Sequence, residues 1–177
     1  MQVLFSTKRF CNAVIDLWQS VQLRPSPAFR NLNNIATKIV VVSHDAHLDG
    51  APLLILHVAQ VLRHEFGIEV ATILLGDGPL RGEFENLGPL VDFTRPHWRS
   101  ALPKAAVRAR ASQLRQLRAA AYTHVLCNTT VSGALVPLLH ESGFKTLVLV
   151  HELPALLAQL NLTAVAAAFA PIADRVV

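Results

Sequence analysis

A chain of 177 residues is the size of one domain with its own core, and at 52% hydrophobic against 16% charged residues it is no disordered segment. So apolar a composition predicts a face that a partner covers, and the net charge of +4 points to anionic partners; nucleic acid is excluded, because no aromatics interleave with the basic residues and no reader motif occurs. Two cysteines, Cys11 and Cys127, are too few for a disulfide framework or a four-ligand zinc site, no apolar run reaches the roughly 18–20 residues of a spanning helix, and Lys8 and Arg9 break the short start VLF, so a cytoplasmic protein is expected.

Residues 1–36 stand apart from the rest of the chain. Phe10, Val14, Leu17, Trp18 and Val21 fall on one helical face, and VQLRPSPAFRNLNN after them reads as a connector. This helix either packs on the domain's own sheet, lies on a membrane interface or docks another domain.

From residue 37 to 177 the pattern is one of alternating strand and helix. Ile39, Val40, Val41 and Val42 read as a strand covered on both faces, and helical spacing of apolar residues follows over 51–63, with Pro52 in the first turn. Further strands are expected over 68–75, 90–93, 124–127 and 145–150. Between them lie a short helix around 82–87, a long one over 102–122, another over 132–141 with Gly143 ending it, and a last pair over 154–170. The order predicts an α/β domain with a Rossmann-like, doubly wound, mostly parallel sheet, helices on both faces and a ligand crevice at the carboxyl ends of the strands.

The long helix carries an apolar stripe of Val107, Ala111, Leu114, Leu117 and Ala121. Opposite it Arg99, Lys104, Arg108, Arg110, Arg115 and Arg118 predict a basic face, which is either plain solvated surface or a contact to anionic lipid at the inner face of a membrane or to a phosphate-bearing acceptor.

Polar residues concentrate just after the strands. Ser43, His44, Asp45, His47, Asp49 and Gly50 follow the first; Gly76, Asp77 and Gly78 the second; Asn128, Thr129, Thr130 and Ser132 the fourth; His151 and Glu152 the fifth. Free amides at a helix N-terminus and the positive end of its dipole make the loop at Gly50 a place for a phosphate. His44, His47 and Asp49 are also chemically suited to zinc or iron, as in a metal-dependent hydrolase or deacetylase, or to plain loop hydrogen bonding. Gly76-Asp77-Gly78-Pro79 is a turn that can wall a cleft. His151, beside Glu152, stands where acid/base chemistry or a contact to a substrate hydroxyl would be useful, or where an imidazole caps backbone groups. His57, His64, His97, His124 and His140 have no visible partner and read as structural, and the sequons at Asn128 and Asn161 read as chance matches.

SHDAHLDGAPLLILHVAQVLRHEFGIEVATILLGDGPLRGEFENLGPL, HVLCNTTVSGALVPLLHESGFKTLVLVHELP and ADRVV together resemble the amino-terminal domain of a family 4 glycosyltransferase of the GT-B fold, over residues 38–177. The resemblance implies transfer of a sugar from a nucleotide-sugar with retention of configuration, between two Rossmann-like halves, the amino-terminal one shaping the acceptor site. It further implies that Gly50 and Ala51 approach the donor diphosphate and that His151 lies beside the transferred sugar. Asn128 and Thr129 would line the acceptor side, with His44, Asp45, Asp77 and Glu152 around the cleft. No cofactor or metal is implied. Most donor contacts and the Glu-x7-Glu motif of such enzymes belong to a second half, and no glutamate pair here fills that role, so these residues alone are expected to be inactive. The expected acceptor class is a lipid-linked or polysaccharide precursor. A Rossmann-like binding module without chemistry and the metal-dependent hydrolase are the readings from other classes.

Overall fold

The computed structural model describes residues 38–95, 103–152 and 154–177; the helix and connector expected over 1–36, together with Cys11, His97 and Arg99, lie outside the described residues. In chain order the elements are β1 (Lys38–Ser43), α1 (Gly50–His64), β2 (Glu69–Leu74), α2 (Arg81–Leu87), β3 (Leu90–Asp92), α3 (Lys104–Ala119) and β4 (His124–Cys127). Then come α4 (Thr130–Gly133), α5 (Val136–Glu141), β5 (Lys145–Val148), α6 (Pro154–Gln159), α7 (Thr163–Phe169) and β6 (Arg175–Val176). Six strands form one sheet in the order β3-β2-β1-β4-β5-β6, every pair parallel. This is the Rossmann-like α/β architecture that alternation predicted.

Continuous apolar strands make sense in such a sheet because both faces are covered. On β1, Ile39 and Val41 pack with Ile55, Leu56, Ala59 and Leu62 of α1 and Phe84 of α2, while Val40 and Val42 pack with Leu114 of α3, Val136 and Leu139 of α5 and Phe169 of α7. Burying those side chains on α1 at helical spacing is what holds that helix against the sheet, at roughly 1.5–3 kcal/mol for each large one. Gly143, at φ 80°, takes the left-handed turn that ends α5 and lets Phe144 drop into the core.

Two expectations need correction. The helix expected over 132–141 is two, α4 and α5, parted after Gly133. Pro137 in the first turn of α5 has no amide for a bond back to Gly133, and its ring would meet that carbonyl in a continuous helix. The basic face of α3 also loses members. Arg110 is only 4% exposed; its Nη2 donates to the Phe93 carbonyl at 2.8 Å and its guanidinium lies 4.8 Å from the Phe93 ring centroid. Burial lowers its pKa. Arg118 turns likewise onto the Tyr122 carbonyl and the Phe144 ring, and of the expected stripe Val107 is exposed while Leu114 and Leu117 are buried. Among the described residues no helix is long and apolar enough to cross a membrane.

Candidate functional site

β1 has β2 on one side and β4 on the other. After β1 the chain crosses to the face that α1 covers; after β4 it crosses to the face of α5. The two following loops therefore part at the carboxyl edge and leave a crevice, the usual ligand position in sheets of this kind.

Asn128 closes the floor of that crevice. It is fully buried, its Nδ2 donates to the Ala51 carbonyl of α1 at 2.6 Å, and its Oδ1 is 3.2 Å from Nε2 of His151. One amide thus joins the ends of β4 and β5 to the first turn of α1. His151 itself is exposed. Glu152 fixes the backbone beneath it: the carboxylate accepts from the His151 amide at 3.1 Å, from the Thr130 hydroxyl at 3.0 Å and from the Thr130 amide at 3.3 Å. Thr130 opens α4, so the carboxylate also sits at a helix N-terminus, where negative charge is favoured.

Thr129 and Ser132 exchange backbone and side-chain bonds in a capping box at 3.3 and 3.0 Å. Asn128 and Thr129, which the resemblance puts on the acceptor side, are buried with their side chains bonded inside the protein. Glu152 likewise spends its carboxylate on the loop. The Thr-x-x-Ser spacing at 129–132 is the signal that would have started the helix at Thr130 instead of Ser132.

The loop after β1 is organised by Asp45. His44 Nε2 lies 3.2 Å and His47 Nδ1 3.7 Å from its carboxylate, which also accepts from the His47 amide. Asp45, not Asp49, is the carboxylate between the two histidines. Asp49 precedes α1 as an exposed residue whose side chain makes no cap bond. Among the described residues no group of three His, Cys, Asp or Glu is placed to hold a metal ion. A second wall comes from the loop after β2. Gly78 lies so close that a Cβ there would stand 2.4 Å from the Ala46 carbonyl, and Leu80 donates its amide to Ala46 at 2.8 Å. Asp77 is exposed and paired with Arg81, which also binds Glu85 and Asp92.

Around Gly50 the space is open: a Cβ built there meets nothing within 4 Å. The amides of Gly50 and Ala51 precede the first intrahelical bond, made by Leu53 to Asp49, and so remain for an anionic oxygen.

His57, His64 and His140 are exposed on helices away from this edge. His124, at the opposite edge, has its Nδ1 2.6 Å from the Thr123 hydroxyl and its pKa pushed down to about 4, by burial first and then by Lys145 and Arg118. Cys127 is a buried free thiol whose pKa burial raises to about 12, leaving it unreactive.

Known protein families, curated proteins and solved structures were each compared with the chain, and none matches. Function therefore rests on the chemistry of this edge. It offers a solvent-facing imidazole, open helix amides for negative charge, and a rigid frame that ties both to the sheet.

Proposed function

We propose that this chain is the acceptor-side half of a retaining glycosyltransferase that moves a sugar from a nucleotide-sugar, with His151 beside the reacting sugar and Gly50 and Ala51 facing the donor diphosphate. The observation that carries the reading is the line from the His151 imidazole through Asn128 to the Ala51 carbonyl. A group that contacts the sugar and a helix N-terminus that favours the departing phosphate need fixed relative positions, because stabilisation counts only where charge develops. Holding the donor falls to a second α/β half carrying Glu-x7-Glu, which this reading requires outside these residues.

In an enzyme with both halves, His151→Ala is expected to lower kcat about 100-fold, as for loss of one transition-state contact, with little change in Tm. Turnover of a nucleotide-sugar by the 177-residue chain alone, above background hydrolysis, contradicts the two-half reading.

For localisation the same reading places the protein in the cytoplasm, peripheral to a membrane that presents a lipid-linked acceptor. Lys104, Arg108 and Arg115, which remain exposed on α3, would face the anionic surface. Co-sedimentation with phosphatidylserine vesicles at low salt, lost at about 0.5 M salt where screening shortens the reach of charge, is the expected result. Equal recovery with neutral vesicles removes the membrane from the proposal.

A further inference from the structure

The hydrogen bonds at the edge specify more than a position. The Ala51 carbonyl can only accept, so at 2.6 Å the Asn128 atom facing it must be the amide nitrogen; two oxygens at that distance would repel. The Asn128 oxygen is thereby turned toward His151, 3.2 Å from Nε2. An amide oxygen accepts and never donates, so Nε2 carries the hydrogen. The neutral imidazole is left with its lone pair on Nδ1, and that nitrogen has no protein partner among the described residues.

The structure assigns to Asn128 the role of positioning residue: it sets the Nε2–H tautomer of His151 and leaves Nδ1 as the hydrogen-bond acceptor offered to a ligand. Three features make the device rigid. Asn128 is fully buried, so water does not compete for either end of its amide. Its backbone follows β4 directly, with its amide directed at the Val42 carbonyl at 3.4 Å. The backbone amide of His151 is held by Glu152, which is in turn held by Thr130. A partner group at Nδ1 must donate a proton, as a hydroxyl does, and an unprotonated anionic oxygen is disfavoured there while the imidazole is neutral. Read as a contact to a sugar hydroxyl, this rests on the glycosyltransferase proposal; read as a tautomer, it rests on the protein's own hydrogen bonds.

Long-range ¹⁵N–¹H correlation spectra of the 177-residue chain, labelled with ¹⁵N-histidine, test the tautomer with no donor or second half present. His151→Gln identifies the resonances, and the exposed His57, His64 and His140 serve as references. At a pH where the imidazole is neutral, His151 is expected to show one protonated Nε2 and one bare Nδ1, with its two nitrogens further apart in shift than those of the references. In Asn128→Ala the two should move toward the averaged reference pattern. A protonated Nδ1, or a pattern that Asn128→Ala leaves unmoved, overturns the assignment. Should that variant fail to fold, the wild-type chain decides through the Asn128 side-chain amide: slow exchange of the proton donated to Ala51 supports the frame, and rapid exchange of both protons overturns it. A confirmed tautomer, with no sugar transfer by a protein carrying both halves, would reject the enzyme reading alone.

Discussion

At the carboxyl edge of the sheet His151 stands in solvent with one ring nitrogen on a buried amide, whereas at the amino edge His124 is half-buried against Thr123 with Lys145 and Arg118 near it. The displaced pKa is that of His124, at the edge opposite the crevice. Burial and the two cations favour neutral His124 against the opposing pull of Asp174, which suits a structural residue. A displaced pKa is a common pointer to function, yet here the more telling feature is an exposed group whose backbone and tautomer are both held from below. The contrast follows from parallel topology: helix N-termini gather at one edge, and the other receives helix C-termini with their basic residues, such as Arg118 in the last turn of α3.

Exchanging the roles of the two histidines by mutation is the strongest way to break this comparison. In an enzyme with both halves, His151→Ala should cost about 100-fold in kcat, while His124→Ala should leave the activity of each folded molecule unchanged and lower stability by about 1 kcal/mol. Steady-state assays normalised to folded protein separate the two, and equal losses would erase the distinction.

The rigidity of the carboxyl edge is tested next by Gly78→Ala. A Cβ at 2.4 Å from the Ala46 carbonyl has to push one loop from the other, so chemical denaturation should show a loss of about 2 kcal/mol, in the range for overpacking. A change below about 0.5 kcal/mol would mean that this wall is soft.

The amino edge gives a smaller, pH-dependent effect. Because the folded pKa of His124, about 4, lies below the ordinary histidine value of 6.5, the unfolded chain binds more protons in between. The contribution is fully present above about 6.5 and lost as pH falls toward 4. Its size is roughly 1–2 kcal/mol after discounting for partial exposure. His124→Gln should flatten the stability profile over that interval, and an unchanged profile would free His124 from the role.

The strands were legible because a sheet covered on both faces demands unbroken apolar runs, and Ile39 to Val42 admit no other use in a chain this short of charge. The polar residues after the strands were legible for the same reason, since topology delivers each loop to one edge. What escaped is what distant residues decide. Arg110 has the spacing of a surface residue, and the Phe93 carbonyl, 17 positions away, helps to draw it inside. Glu152 and Thr130 are 22 apart, so their bond has no sequence signal. Asp45 rather than Asp49 meets the histidines for a local reason: it stands between them in the chain, and its carboxylate accepts the His47 amide. The break before α5 was readable at Pro137 and the start of α4 at Thr129.

The central claim, that ligand chemistry belongs to the carboxyl edge at the β1–β4 switch, is tested most directly by amide chemical-shift mapping of the 177-residue chain with uridine, guanosine and adenosine diphosphate sugars. Weak binding is enough. Shifts are expected to be confined to residues 43–53, 76–78, 128–130 and 151–152, with His124 and its surroundings unmoved. Saturable shifts centred on the amino edge, with Gly50, Ala51 and His151 unaffected, would contradict it.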